Sequence, residues 1–342
     1  MRRLTRLGFA GLALLLALLG GYTGYWLILA GQIKDGVIAW AQAERAEKIE
    51  VSWQSVGVAG FPFRCRVAFA TAVLRDGRIN PSPEFRFPAL SASARPWDFA
   101  LWQLAAPEGV SAGLDGGGER PTLKLAAHTA QGTLVVDPEM GTTLWLSLRD
   151  VTVEAGAAVP VSSAEAWVIL PPKAARGHTN PSLAIAMDLR QLQLADTSPV
   201  LGATIDELAI GVTVKGAIPS GKLAQAVSGW RDAGGTIELD NLHLLWGGLG
   251  ATASGTLALD RELQPIGGFS GAVEGYDQIP TALVQSGQVR AADAGLARLA
   301  LAMLAKVGPG GKPEIKTAFT IQNGQMFLGP ARLGKAPRLA WE

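Results

Sequence analysis

Two stretches of alternating apolar residues decide the fold class of this 342-residue chain. They run Leu183-Ala184-Ile185-Ala186-Met187-Asp188-Leu189 and Leu208-Ala209-Ile210-Gly211-Val212-Thr213-Val214. Because successive side chains of a β-strand point to opposite faces of a sheet, each stretch predicts a strand with one apolar face. The candidate residues for an apolar groove are Leu183, Ile185, Met187, Leu189, Leu208, Ile210, Val212 and Val214.

The same period of two recurs along the chain, at residues 49–53, 65–69, 144–148, 237–240 and 257–260. Hairpin-type turn signals occur at Asp76-Gly77, Asp115-Gly116 and Asn323-Gly324. Together they predict a mainly β fold with a large curved antiparallel sheet, either open as a groove or closed as a sandwich or barrel. The Pro-rich stretch 171–181 could divide this β-rich body into two halves.

Few helices are predicted in the body. Leu223, Val227 and Trp230 have helical spacing and precede Gly234-Gly235, which predicts a short helix. A longer apolar stripe from Leu296 to Val307 predicts a second helix, and we expect it to pack against one end of the sheet.

The N-terminus predicts a membrane anchor. Three arginines (Arg2, Arg3 and Arg6) precede an uncharged stretch, 7–33, and about 20 apolar residues suffice to cross a bilayer. Aromatic residues at 22, 25 and 26 fall where an interfacial belt would lie. A cleaved signal peptide is the alternative, but its apolar region is usually shorter.

The anchor and its flanks predict four segments. They are a cytoplasmic tip at 1–6, a transmembrane helix at 7–33, a connecting helix at 34–48 and a β-rich body at 49–342. Because positive charge before a span stays in the cytoplasm, the body is expected in the periplasm of a bacterial cell, held at the inner membrane.

Composition excludes some function classes. Thirty basic residues balance 29 acidic ones, which leaves no basic surface for nucleic acid. The three histidines lie far apart and no catalytic or phosphate-binding motif occurs, so we predict no enzyme, no metal and no cofactor. Cys65 is the single cysteine, and strand alternation turns Arg64 and Arg66 away from it. We therefore expect a buried, unreactive thiol.

Gly60-Phe61-Pro62-Phe63-Arg64 is the most distinctive local string. The proline biases Phe61 towards an extended conformation and marks the start of a strand. Its aromatic and basic side chains could pack a sheet edge or contact a lipid headgroup, and packing is the favoured interpretation.

With the N-terminal anchor and the preceding Trp53, this string resembles the bacterial family called domain of unknown function 2125. The stretches 87–92, 96–97, 255–260 and 322–330 extend the resemblance over nearly the whole body, and the family supplies no catalytic residues. The strand style of 255–260 is also similar to the end modules of AsmA-like periplasmic proteins. That looser resemblance implies a curved sheet with an apolar inner groove, in proteins linked to envelope lipids.

Two function classes follow. The leading hypothesis is a membrane-anchored periplasmic protein whose groove binds or hands on lipid acyl chains, because an apolar sheet face needs a cover. The alternative is a non-enzymatic structural or interaction scaffold of an envelope complex, with a closed core and a free strand edge.

Overall fold

A single antiparallel sheet dominates the computed structural model, which describes residues 2–78, 82–114, 123–194, 201–219, 223–285, 290–308, 311–339 and 341. Within those residues, eighteen strands belong to this sheet and four helices accompany it. The predicted mainly β class, with few helices and an apolar N-terminal helix, is confirmed.

The helices are α1 Arg2–Ala46, α2 Leu223–Asp232, α3 Gln278–Gln285 and α4 Ala291–Leu304. The strands before the Pro-rich connection are β1 Ile49–Ser52, β2 Ser55–Ala59, β3 Cys65–Asp76, β4 Pro83–Arg95, β5 Asp98–Ala106, β6 Val110–Leu114, β7 Leu123–Asp137, β8 Gly141–Ala155 and β9 Ala157–Leu170. The strands after it are β10 Pro181–Gln193, β11 Thr204–Lys215, β12 Thr236–Trp246, β13 Leu249–Leu259, β14 Pro265–Glu274, β15 Lys306–Val307, β16 Pro313–Gln322, β17 Gln325–Leu328 and β18 Ala331–Lys335.

The strands follow one another as an antiparallel meander, as predicted. From β7 to β14 each strand pairs with the next one in the chain. At two places in the sheet, two short strands take the place of one long strand. Strands β1 and β2 both pair with β3, and strands β5 and β6 both pair with β4 and β7. Among the described residues no pairing joins β1 or β2 to β18, so the sheet is open and not a closed barrel.

The Asn323-Gly324 signal is confirmed as a two-residue hairpin. Gln322 lies opposite Gln325, and both turn residues have positive φ, 52° and 67°. Asn-Gly is favoured there because these residues tolerate that conformation. Asp76 ends β3, as its turn signal predicts, whereas Asp115-Gly116 lies outside the described residues.

A crease crosses the middle strands and keeps the apolar side chains on one face. Thr71 in β3, Asp150 in β8 and Gln191 in β10 have φ of 49°, 50° and 53°, outside the pleated conformation. On either side of the crease apolar residues recur every two residues, and across it the spacing is three, as from Leu148 to Val151 and from Leu189 to Leu192. The main buried cluster lies here and contains Ala127, Val151, Val161, Ala164 and Leu192.

The two predicted body helices have different outcomes. Trp230 of α2 is buried, and its indole N–H donates to the Lys215 carbonyl at 2.8 Å, so this helix packs as expected. The expectation that the stripe ending at Val307 packs on the sheet is wrong for its described side chains. Met303 is 81% exposed and Leu299 is also exposed, because α4 pairs with α3 in the connection between β14 and β16.

Two of the predicted segment boundaries fall inside one helix: residues 2–46 of the predicted tip, span and connecting helix form the single helix α1, which ends at Ala46. The predicted start of the β-rich body at residue 49 coincides with the first residue of β1. The division near 171–181 falls in the connection between β9 and β10, and these two strands pair directly. Where the membrane begins, and whether the body has two halves, therefore stay predictions.

We expect Gly109→Ala to destabilise the protein far more than Gly156→Ala. Both glycines have positive φ, 84° and 91°, so each substitution carries a conformational cost of about 1 kcal/mol. Only at Gly109 would the new Cβ also lie 2.2 Å from a backbone oxygen, that of Ala127, whereas Gly156 has nothing within 4 Å. Denaturant unfolding of the full chain in mild detergent should show an additional loss of roughly 2 kcal/mol or more for Gly109→Ala. Equal losses would contradict the close approach of the strands at Gly109.

Candidate functional site

The eight groove candidates lie together on one face of the sheet. Leu183, Ile185, Met187 and Leu189 of β10 stand directly opposite Val214, Val212, Ile210 and Leu208 of β11. Directly opposite residues in an antiparallel pair project from the same face, and their Cβ atoms are about 5 Å apart. The structure thus combines the two predicted alternating stretches into one continuous apolar patch.

This apolar patch continues across the sheet in both directions. Successive cross-strand partners from β2 to β16 are Val58, Val67, Ala92, Leu104, Gly132, Leu146, Ala166, Met187, Ile210, Leu242, Ala253, Gly271 and Thr317. Every member except Thr317 is apolar or glycine. With strands about 4.8 Å apart, this row is roughly 55–60 Å long. We call this side of the sheet the apolar face.

The opposite side of the same strands is more polar, although it also carries the cross-strand pair Trp145 and Trp167. The neighbouring row of partners on that side includes Ser91, Gln131, Ser147, Glu165, Asp188, His243, Thr252 and Lys316. On this side Arg190 binds Asp188 at 2.7 Å and Glu207 at 2.6 Å. His243 thus belongs to a polar surface and has no metal-ligand cluster around it among the described residues.

The middle of the apolar face is only partly covered. Ile185 and Met187 are 36% and 41% exposed, and their neighbours Leu183, Leu189, Ile210 and Val212 are half-buried. A second sheet or a packed helix layer would bury such side chains almost completely. The face is therefore an open apolar surface at β10 and β11.

Helix α1 covers the first end of the apolar face. Trp26 is 6% exposed and Ala30 is also buried, and both pack on Cys65 with Val58 nearby. The Trp26 indole N–H also donates to the Arg64 carbonyl at 3.2 Å. Farther along the helix, Arg45 donates to the Val51 carbonyl at 3.0 Å. The second half of α1 is therefore docked on the body, while Leu12 to Leu19 remain exposed.

Cys65 lies beneath this docked helix. It has no exposed surface, whereas Arg64 and Arg66 are exposed, as strand alternation predicts. Burial raises the pKa of the Cys65 thiol above its ordinary value. Because the thiolate is the reactive form, the expected unreactive cysteine is consistent with this environment.

The Gly60–Arg64 string forms the turn between β2 and β3, and it contacts α1. The Phe61–Pro62 peptide is cis, and the Phe61 ring lies edge-on to Trp26 with centroids 5.6 Å apart. The Tyr22 hydroxyl donates to the Pro62 carbonyl. Phe63, by contrast, is 69% exposed. Packing thus accounts for Phe61 and leaves Phe63 without a cover.

Two surface depressions lie away from the eight groove candidates. One of about 690 Å³ spans β12 to β16 and is lined by His243, Thr252 and Lys316 among others. Another of about 270 Å³ lies over β4, β6 and β7, between Glu84 and Lys124. The candidate site is therefore better described as an open face than as an enclosed pocket.

The comparisons with known proteins identify a family. The family described as "Uncharacterized protein conserved in bacteria (DUF2125)" matches residues 26–337. The chain belongs to this family. The predicted resemblance to domain of unknown function 2125 is confirmed, and the match begins at Trp26, so the family's extent includes the docked part of α1. No curated protein and no solved structure matches the chain, and the similarity to AsmA-like proteins stays a prediction.

Sequence reasoning missed the docking of α1. Trp26, Ala30 and Ile33 follow one another at the spacing of a helix face, but the surrounding residues are apolar as well. A buried stripe is invisible where every side of a helix is apolar. The cluster of hydrogen-bonding aromatic residues at Tyr22, Tyr25 and Trp26 could have indicated that α1 packs on the body. The same cluster is also typical of a membrane interface, so it did not decide between the two.

We expect Trp26→Ala to expose Cys65. Removing the indole opens the cover over the only thiol in the chain, so maleimide labelling of the full chain in detergent should accelerate by roughly tenfold or more. In the unmodified protein, labelling should stay slow at neutral pH and rise at higher pH, since the raised pKa keeps the thiol protonated.

Leu27→Ala is the matched control, because Leu27 is the next residue in α1 and its side chain is exposed. Its labelling rate should equal that of the unmodified protein. Equal, slow labelling of Trp26→Ala would show that α1 does not cover Cys65 in solution.

Proposed function

We propose that this protein is held in a bacterial inner membrane by α1 and binds or hands on lipid acyl chains along its apolar face in the periplasm. The observation that carries the proposal is the continuous row of apolar cross-strand partners, left half-exposed at Met187 and beside it at Ile185. Apolar surface that is exposed to water costs about 25 cal/mol per Å² of free energy. A row of this length therefore favours an apolar cover.

An acyl chain suits this face better than a rigid protein partner does. The row runs across thirteen strands and has small residues such as Gly132, Ala166 and Ala253 among larger ones. Such a row makes a long apolar strip with no free backbone hydrogen-bonding groups, since the backbone groups of paired strands are used in the ladder. A flexible hydrocarbon chain has no polar groups, so it needs no hydrogen-bond partners on this face.

Two features support an uncleaved anchor over a signal peptide. Trp26, Ala30 and Ala41 are buried against the body, so removal of α1 would uncover Cys65 and the first strands. The exposed leucines of residues 12–19 form the apolar part that remains for a bilayer. The proposed orientation puts Arg2, Arg3 and Arg6 in the cytoplasm.

A scaffold role is the second candidate, favoured by the last strand. β18 pairs with β17 on one side, and among the described residues no strand pairs with its other side. Leu333 of this strand is exposed. An edge of this kind can accept a strand from another protein.

Photo-crosslinking distinguishes the two candidates. A benzophenone amino acid placed at Met187 should form phospholipid adducts in living cells, detected by mass spectrometry of the purified chain. The same amino acid at Ala186, the preceding residue, projects from the opposite side of the sheet beside Trp167 and Gly211 and should give none. Protein adducts at Met187 in place of lipid would favour the scaffold, and no adduct at all there would contradict both a lipid and a protein on this face.

A charge on the apolar face should remove lipid without unfolding the protein. Met187→Glu places a carboxylate where hydrocarbon is proposed to lie, and burying an unpaired charge costs several kcal/mol. Because Met187 is 41% exposed in the free protein, the stability change itself should stay below about 1 kcal/mol.

Native mass spectrometry should then show at least roughly tenfold less lipid retained by Met187→Glu, since each 1.4 kcal/mol or so of lost binding energy is a factor of ten. Ala186→Glu should retain lipid like the unmodified chain. Equal lipid retention in both variants would count against the apolar face as the binding surface.

A further inference from the structure

Two turns at the same end of the sheet carry exposed aromatic side chains. The first is Gly60–Arg64 between β2 and β3, and the second is Arg95–Asp98 between β4 and β5. Phe63 and Trp97, one in each turn, are 69% and 62% exposed. We call these two turns the aromatic foot.

The aromatic foot is fixed to α1 by hydrogen bonds from neighbouring tyrosines. The Tyr25 hydroxyl donates to the Pro96 carbonyl at 3.0 Å, and the Tyr22 hydroxyl donates to the Pro62 carbonyl. The rings of Tyr22 and Phe61 are also 6.1 Å apart. Because each turn is tied to one helix position, the position of the helix in a bilayer sets the depth of the foot.

The helix geometry puts that depth at the membrane surface. Nineteen residues separate Arg6 from Tyr25, and at 1.5 Å per residue they span about 28 Å, close to the thickness of a hydrocarbon core. With Arg6 at the cytoplasmic interface, Tyr22 and Tyr25 reach the opposite interface. Exposed Phe63 and Trp97 lie beside them, at the level where aromatic side chains are most favourable in a bilayer.

The two turns of the aromatic foot also carry basic side chains. Arg64 and Arg95 line a depression of about 210 Å³ together with Asp98 and Gln103, and Arg64 donates to the Gln103 amide oxygen at 3.3 Å. Both arginines are exposed. Guanidinium groups at this height match lipid phosphates, which bind arginine through paired hydrogen bonds.

We propose that the aromatic foot is a membrane-contact surface. Phe63 and Trp97 insert into the periplasmic interface of the inner membrane, and Arg64 and Arg95 contact phospholipid phosphates. The surface holds the β2–β4 end of the apolar face against the bilayer. This inference rests on the membrane-anchor part of the proposed function and not on acyl binding by the apolar face.

Depth-dependent quenching tests the foot in the full chain. Phe63→Cys and Trp97→Cys each introduce an accessible thiol. The native Cys65 is buried and is not expected to react with the fluorophore. Each is labelled with an environment-sensitive fluorophore in nanodiscs of phosphatidylethanolamine and phosphatidylglycerol. Met303→Cys is the control, because Met303 is equally apolar and exposed but lies at the opposite end of the strands.

Nitroxide lipids labelled near the headgroup should quench the probes at 63 and 97 roughly threefold more strongly than the probe at 303, as expected for side chains at the interface. Quenching at 63 and 97 no stronger than at 303 would overturn the inference. A positive result here with no lipid adduct at Met187 would keep the foot and remove the acyl-binding proposal, so the two failures are separable.

Charge reversal tests the two arginines with the same probe. Arg64→Glu with Arg95→Glu should lower quenching at position 63 by roughly half, because carboxylates repel anionic headgroups. Arg75→Glu, at an exposed position towards the other end of β3, should leave that quenching unchanged. Unchanged quenching in the double variant would overturn the phosphate contact.

Discussion

The structure depends on cross-strand register. A shift of one residue in any strand would turn its apolar side chains to the polar side, because side chains alternate strictly along a strand. Met187 opposite Ile210, and Leu146 opposite Ala166, show that the register is kept from strand to strand. The crease at Asp150 and Gln191 interrupts the pleat without exchanging the two faces, since the apolar spacing changes there from two to three.

In the proposed function, helix α1 links this sheet to the membrane in two ways. Its first half is exposed and apolar, and its second half fills one end of the apolar face through Trp26 and Ala30. If α1 spans a bilayer as proposed, this one element sets both the distance and the orientation of the sheet relative to it. The apolar face beyond α1 stays open at β10 and β11.

Much of the fold was predictable from local patterns. The alternation in residues 183–189 and 208–214 identified the strands and the face they share, and Asn323-Gly324 identified a hairpin. The docking of α1 and the exposure of Met303 were not predictable, because both depend on which elements meet in space. An apolar stripe indicates that one side of a helix is more stable when buried, but it does not indicate which element of the fold, if any, packs against it. The crease was also unpredictable, since Thr71, Asp150 and Gln191 share no residue type.

The meander has a consequence for how the protein forms. Because nearly every strand pairs with its immediate neighbour in the chain, ordering each strand closes only a short loop, and contacts of low sequence separation form fast. A chain delivered N-terminus first can therefore build the sheet in the order of its emergence, with each finished strand serving as the template for the next. The strands β1 to β3, which contact α1, would be completed first, so assembly would begin at the α1 end of the sheet and proceed away from it.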